Sequence, residues 1–559
     1  MLKKSKNRSV EEYGIVESIN HPLLLVKGLP NARSGDTLIF ENGAMGQVLN
    51  FSHAAEVMLF SEELVKVGSR CLNTGQTLSL HVSTDLLGAV VDPLGKSLEE
   101  KKPVKSLSKD CFFKLAKYGN LNDSEFFGKK QSSLLKFARK REAEKSNKAC
   151  YLVDSKATAL EQRAQLKEPL VTASAIVDLL LPLAKGQREL VVGDRKTGKT
   201  SFLLNLAENQ IRAGAIVIYA LIGKKMSEIK AVRQYFIDKK LNQKIVIVAA
   251  GAKAVPSIIY LTPFSAMTIA EYFRDQSKDV LLILDDLSTH AKFYREISLL
   301  ARKFPGRDSY PGDIFYTHAR LLERAGNFKS TVPAKKENSG VGQAEPKIAK
   351  AKNSATQASD TKINPTVSIS CLPVANTIES DLTDYIVSNL ISITDGHLLF
   401  DAAMVRSGQH PAINVALSVT RVGKQVQSQV VRELNTKLLA FMNKYRKSMS
   451  FSHFGAELTA ETQFLINKGE AFEAFLLQKP EEIIPLPVQV VVAALLWFDY
   501  LLDFEAEQVR QLRQQLTKTY LQNQEMRDLF DNLFRLENLD ELKTELMPLK
   551  EKIKEILKN

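Results

Sequence analysis

Eight consecutive residues carry the strongest chemical signal in the chain: Gly193-Asp194-Arg195-Lys196-Thr197-Gly198-Lys199-Thr200. Two glycines at this spacing, followed by Lys-Thr, form the pattern of a phosphate-binding loop. The glycines let successive backbone amides curl around an anion, and a helix starting at the end of the loop adds its positive N-terminus. In that arrangement Lys199 reaches the beta and gamma phosphates of a nucleotide. The Thr200 hydroxyl is placed to ligate magnesium, and Ser201 completes the set on the same turn. A second element should follow: an apolar strand ending in an acid. Val280-Leu281-Leu282-Ile283-Leu284-Asp285-Asp286 supplies it. An acid after a strand is by itself usually a helix cap. Downstream of a phosphate loop, Asp285 reads instead as the carboxylate that holds magnesium through water. Asp286 is ambiguous, and a purely local hydrogen bond remains open for it.

Such a loop works only between a strand and a helix. Residues 190–192 read as the strand, and residues 200–212 as a helix that Gly214 can close. Between 168 and 328 strand-like runs (189–192, 216–221, 245–249, 280–284) alternate with helical stretches, which implies a parallel sheet flanked by helices. Upstream, from Gly14 to Val91, short apolar runs separated by Gly and Asn turns read as a small beta-barrel or sandwich. Residues 101–167 break that pattern. They are lysine-rich, with helical periodicity around 132–144, and read as an inserted segment. Residues 328–365 are polar and without apolar periodicity, as in a disordered surface loop. The strand pattern resumes at 367–374. After Arg421 the remainder is mainly helical and ends in an amphipathic, charge-dense tail at 533–557. The expected division is a beta-barrel (1–100), a basic insertion (101–167), an α/β nucleotide domain (168–425) that contains the 328–365 loop, and an all-α domain (426–559).

The chain has 559 residues, 44% hydrophobic and 25% charged, which permits several packed cores and excludes wholesale disorder. Much of its formal charge of +13 lies in stretches 129–148 and 329–362 and at the lysine-rich ends, the distribution of a solvated charge run rather than of a binding face. The four cysteines, Cys71, Cys111, Cys150 and Cys371, are scattered, so neither a disulfide framework nor a zinc site is expected and a reducing cytoplasm fits. The most apolar run, 488–502, is interrupted by Gln489 and Asp499 and is too short to span a bilayer. Residues 1–10 carry lysines with no apolar run behind them, unlike a secretory signal.

Longer motifs carry a resemblance. Gly186-Gln187-Arg188-Glu189-Leu190 with Gly193-Asp194-Arg195 resembles the alpha subunit of F-type ATP synthases. So do Glu271-Tyr272-Phe273-Arg274-Asp275, the run from Pro305-Gly306-Arg307-Asp308 to Asp313, and Arg320-Leu321-Leu322-Glu323-Arg324-Ala325. Ile391-Ser392-Ile393-Thr394-Asp395-Gly396, Pro411-Ala412-Ile413-Asn414-Val415 and Ser418-Val419-Thr420-Arg421-Val422-Gly423 complete the set. The likeness implies a multidomain chain with a beta-barrel, a RecA-like P-loop domain and a helical domain. It also implies ATP or ADP with Mg2+ as ligands, and an alternating hexamer with a catalytic beta-type subunit around a gamma-like central shaft. In that family alpha chains bind nucleotide without turning it over, and Arg421 falls on the arginine finger that reaches the neighbouring chain's pocket. A structural salt bridge is the alternative for Arg421.

The departures are equally specific. Where catalytic beta chains carry glutamate and alpha chains glutamine, this chain has Lys224, and a cation cannot accept a proton from water. Glu228, four residues on, is the alternative for that role. Lys196 stands where alpha chains usually have glutamine, and His410 replaces the usual arginine. The segment corresponding to the family's glutamine pair near the base reads Gln478-Lys479-Pro480-Glu481-Glu482. The phosphate grip is expected to survive these changes, with adenine selectivity the property in question. Barrel-like sequence begins by Tyr13, so only a short lead stands where the family docks its peripheral stalk. With the two insertions, this resembles the divergent F-type-like ATPases of mycoplasmas. It implies non-standard accessory subunits and ATP hydrolysis that drives mechanical work such as motility, as against proton-coupled ATP synthesis. The expected location is the cytoplasm, peripheral on the inner face of the membrane through the complex, with no direct membrane insertion and no nucleic acid. Two other functions compete. A self-sufficient homohexameric export-type ATPase would need a carboxylate where Lys224 stands. A Rho-like RNA translocase would need aromatic platforms among basic residues on the barrel, where Tyr13, Phe40, Phe51 and Phe60 are isolated.

Overall fold

The computed structural model describes residues 13–51, 53–62, 64–99, 149–330, 366–452, 459–479, 481–501 and 504–548. Six strands at the N-terminal end close into a barrel: β1 (Tyr13–Asn20), β2 (Leu23–Lys27), β3 (Asp36–Phe40), β4 (Met45–Phe51), β5 (Ala55–Leu59) and β6 (Arg70–Thr77). Their order around the barrel is β1-β2-β5-β4-β3-β6. Val16, Leu24, Val26, Leu38, Phe40, Val48 and Val57 fill the interior. Closure pairs every strand on both sides and leaves no free edge.

The barrel is shorter than expected. After β7 (Ser79–Val82), β8 (Val90–Val91) pairs in parallel with residues 247 and 248 of the large sheet. The segment at 86–91, read from sequence as barrel, therefore belongs to the next domain. The inserted segment is also shorter than 101–167, because β9 (Ala149–Leu152) pairs antiparallel with β7. The helical periodicity at 132–144 lies outside the described residues. Cys150 on β9 is disulfide-bonded, which the scattered spacing did not announce, whereas Cys71 and Cys371 are free and buried.

The central sheet contains β10 (Glu189–Gly193), β11 (Ile216–Lys224), β12 (Ile245–Gly251), β13 (Val280–Asp285), β14 (Gly326–Lys329), β15 (Thr366–Asn376), β16 (Gly396–Phe400) and β17 (Val419–Thr420). Its order is β17-β16-β10-β15-β13-β11-β12-β8, with β14 paired to β15. The middle strands are parallel and buried on both faces, which is why they read as unbroken apolar runs such as Val280–Leu284 rather than as alternations. Phe328 and Lys329 pair with Val367 and Thr366. The first two residues of the expected loop at 328–365 are thus sheet, while 331–365 fall outside the described residues.

Helices α1 (Lys199–Arg212), α2 (Met226–Asp238), α3 (Pro256–Asp275), α4 (Leu287–Leu300), α5 (Ile314–Leu322), α6 (Tyr385–Ile393) and the short α7 (Ala402–Arg406) accompany the sheet. One buried ion pair explains two distant motifs. Arg324, just past α5, donates from Nε and Nη2 to Glu271 on α3 at 2.9 and 2.7 Å. Its remaining contacts go to the Val153 carbonyl and the Thr268 hydroxyl. A buried charge pair is tolerated when both partners are hydrogen-bonded in this way.

The C-terminal part contains α8 (Gln429–Ser452), α9 (Ala460–Leu476), α10 (Leu486–Trp497), α11 (Ala506–Gln522), α12 (Gln524–Phe534) and α13 (Leu539–Leu546). The most apolar run of the chain becomes α10, buried from Val488 to Leu496 at the centre of these helices. A helix apolar on all sides needs such a position. Leu539, Leu542 and Leu546 turn α13 inward onto α8 and α10, so this part of the tail covers its own domain. Among the described residues no helix is long and apolar enough to cross a membrane.

Candidate functional site

Strand β10 ends at Gly193 and α1 begins at Lys199, so residues 194–198 form the loop between them. Gly198 adopts φ +93°, a left-handed conformation that a side chain would disfavour. Lys196 holds φ 64° without that freedom, at the exposed crest of the loop. The loop is pinned from below. The Asp194 carboxylate accepts hydrogen bonds from the Thr377 hydroxyl at 2.6 Å and the Ser380 amide at 3.0 Å. The Thr197 hydroxyl donates to the Asp194 carbonyl at 2.8 Å. Lys199 is buried and donates to the carbonyls of Gly193 and Asp194, both at 2.6 Å. Burial pulls its ammonium down to about 8, and the nearby Asp285 and Asp286 offset this only in part. Arg195, Lys196, Thr200 and Ser201 are exposed on the rim.

The acidic side is built by neighbouring strands. Leu221 of β11 pairs with Asp285 of β13, which brings the end of β11 beside the two acids. Lys224 there places its ammonium 2.7 Å from Asp285 Oδ1 and 3.0 Å from Asp286 Oδ2. Asp286 also caps α4, accepting from the Thr289 amide at 2.6 Å, so the local role left open for it is realised. Burial would lower the Lys224 ammonium, but the two carboxylates outweigh it and hold the group above its ordinary value. Burial pushes Asp285 up despite Lys224, whereas for Asp286 burial is overcome by Lys224 and the Thr289 contacts, which hold it below its ordinary value.

The magnesium arrangement expected from sequence needs Asp285 available opposite Thr200. Both residues line one cleft, but Asp285 is already paired with a lysine. The residues present therefore do not fit a magnesium ion held through the strand-end acid. Among the described residues, no group of three or more His, Cys, Asp or Glu could hold a metal ion. The cleft has a volume of about 1520 Å³ and opens to solvent. Arg195, Lys196, Lys199, Lys224 and Lys225 line it against Glu228, Asp285 and Asp286, a cationic balance suited to a phosphate chain. Glu228 lies on the first turn of α2 and is exposed.

On the other side of the loop lies a second cavity of about 660 Å³, lined by Thr172, Phe202, Phe400, Pro411 and Gln478 among others. Lys196, Thr197 and Gly198 border both cavities. Phe202 on α1 and Phe400 at the end of β16 pack with ring centroids 5.5 Å apart. Gln478 is buried, and both ends of its amide are engaged. Nε2 donates to the carbonyls of Ala173, at 2.8 Å, and Glu482, and Oε1 accepts from the Ala175 amide at 3.3 Å. Buried Arg513 on α11 anchors the same segment through Glu482, at 2.9 and 2.8 Å. His410 is exposed at the rim. Sequence reasoning singled out His410 and Gln478 but missed the two phenylalanines, which have no local signal because a helix and a strand far apart in sequence bring them together.

Arg421 follows β17 at the edge of the sheet. Its amide donates to the Asp395 carbonyl at 3.2 Å, while the Asp395 carboxylate holds Arg188 at 2.7 and 3.0 Å. The motifs around residues 188, 395 and 421 therefore meet at one point. Gly423 is required just beyond, since a Cβ there would lie 1.5 Å from the Pro182 carbonyl oxygen. The Arg421 side chain is exposed, with no ion pair or side-chain hydrogen bond of its own among the described residues, and its charge acts on the buried Glu189 carboxyl.

Comparison with known proteins agrees with this architecture. Residues 173–420 match the nucleotide-binding domain of the ATP synthase alpha/beta family, and residues 427–558 match the C-terminal domain of its alpha/beta chains. The chain is 32% identical to ATP synthase subunit alpha of Clostridium acetobutylicum, over 90% of this chain and 86% of that one. It is also 32% identical to the subunit alpha of Acholeplasma laidlawii, with the same coverage of both chains. With the subunit alpha of Parabacteroides distasonis the identity is again 32%, over 90% of this chain and 89% of the relative. A barrel, a P-loop sheet and a helical domain, in this order and with this likeness, place the chain in the ATP synthase alpha/beta family, as a divergent chain of the alpha type.

Proposed function

We propose that this chain is the nucleotide-binding, non-catalytic subunit of a rotary F-type ATPase head, alternating with a catalytic beta-type chain around a gamma-like shaft. The observation that carries this reading is Lys224. Hydrolysis needs a carboxylate or amide to orient the attacking water, and here an ammonium paired with Asp285 and Asp286 holds that position. The chain binds ATP or ADP through the 193–200 loop, with Lys199 on the phosphates and Phe202 and Phe400 beside the base. Arg421 acts in the neighbouring chain's pocket. Its exposed side chain supports that role, because a finger supplied in trans must be free of its own chain. The complex sits in the cytoplasm, peripheral on the inner face of the membrane, and its hydrolysis drives mechanical work through non-standard accessory subunits.

The test is ATP turnover of the assembled complex carrying Arg421→Ala. Loss of a trans arginine finger is expected to lower turnover by about 10³-fold or more while nucleotide stays bound to this chain. Unchanged turnover would refute the finger. Glu228, on the same cleft, supports a second reading in which the chain hydrolyses ATP unaided. Steady turnover by the chain purified alone would establish that reading over the first.

A further inference from the structure

The pairing of Lys224 has a consequence for the ligand that goes beyond the absence of catalysis. All four oxygens of the acid pair are engaged. Asp285 Oδ1 meets Lys224 at 2.7 Å and Oδ2 accepts from the Tyr219 hydroxyl at 3.4 Å. Asp286 Oδ1 accepts from the Thr289 amide at 2.6 Å and Oδ2 from Lys224 at 3.0 Å. Both carboxylates are almost fully buried, with side-chain exposures of 7% and 3%, whereas Lys224 keeps 20%. The lysine therefore covers the acids, and it lines the cleft together with Lys199 and Thr200.

A divalent cation in a phosphate-loop site neutralises phosphate charge and is itself held by the loop hydroxyl and the strand-end acid. To take that place here, it would have to displace a lysine from two buried carboxylates. The lysine already serves both acids as a counter-charge, so the metal would gain little from them and would still have to shed part of its hydration shell, which Mg2+ does reluctantly. The lysine meanwhile supplies one of the two positive charges that the metal would bring, and the cleft is cationic without any metal, with five basic side chains against three acidic ones. We propose that the Lys224 ammonium stands in for the divalent cation, so that this site takes the phosphate chain of a nucleotide without magnesium. The inference rests on the reading of this cleft as a nucleotide site and deepens it.

The experiment is equilibrium dialysis of the full-length chain against radiolabelled ADP, in excess EDTA and then in magnesium. A parallel measurement uses Mn2+ as the metal probe, read by electron paramagnetic resonance. The native chain is expected to bind ADP with the same affinity in both conditions, within about threefold, and to immobilise no Mn2+ with it. Lys224→Gln uncovers the acids: affinity in EDTA should fall by about tenfold or more, and magnesium should restore it, with Mn2+ now bound alongside ADP. Lys224→Arg keeps the charge and should remain metal-independent, which separates the effect from a folding defect in the glutamine variant. ADP binding by the native chain that requires magnesium, or Mn2+ immobilised with ADP, overturns the proposal while leaving the nucleotide site standing. Absence of ADP binding by the native chain in every condition would instead bring down the nucleotide reading on which the proposal rests.

Discussion

The two cavities that share the 193–200 loop are built on opposite principles. The phosphate side comes from one contiguous motif plus the ends of two adjacent strands, and it is lined by charges. The base side is assembled from residues near 172, 202, 400, 411 and 478, and it is largely apolar. Its buried amide, on Gln478, is spent on the chain's own backbone. Charge can grip a ligand through short-range spacing alone, whereas a shaped apolar slot needs surfaces that only folding brings together. On the proposed reading of the two cavities, affinity resides on the phosphate side and the base side contributes mainly packing.

The largest expected effect falls on the phosphate side. Lys199→Ala should weaken ATP or ADP binding by about 100-fold, in line with the loss of charge-assisted hydrogen bonds, as measured by dialysis. A loss no greater than that from Phe400→Ala would break the comparison, by showing that the apolar side carries as much of the affinity.

A smaller effect follows from the burial of Lys199. Its ammonium is pulled down to about 8, so it is charged below that pH and neutral above it. Phosphate binding needs the charged form. Affinity should therefore be flat below pH 8 and decline as pH rises through 8, by up to about tenfold per pH unit. Titration calorimetry across pH 6.5–9.5 measures this. A flat profile through pH 9 would show that Lys199 is not the titrating grip, and an affinity rising with pH would reverse the sign of the argument.

The smallest effect concerns the base. Strong discrimination requires site groups left unpaired by the wrong ligand, and the Gln478 amide already has its partners. ATP and GTP should therefore bind within about tenfold of one another, as competition measurements would show. A preference for ATP much above that would mean that Gln478 or His410 changes partners when nucleotide binds, and the contrast between the two cavities would be weaker.

Much of the site was legible before the fold. The loop, its flanking strand and helix, the apolar strand ending in Asp285, and the departure at Lys224 are all local patterns. The motifs near 271 and 320–325 were recognisable, but their reason, the buried Arg324–Glu271 pair, was not. Boundaries were less legible. Strand β8 is two residues long and takes its identity from pairing with β12. β9 and β14 emerge from polar stretches whose composition resembles loop.

The sequence by itself determined the phosphate loop, the order of a barrel, an α/β domain and a helical domain, and the identity of the cation near the acids. Glycine placement, apolar periodicity and charge act over a few residues and can be read along the chain. The tertiary structure alone decided that Lys224 pairs with both Asp285 and Asp286, that Phe202 meets Phe400, and that the Arg421 side chain is exposed at the sheet edge. Each of these depends on which strands lie side by side. Parallel pairing across crossovers sets that over distances that local spacing does not encode.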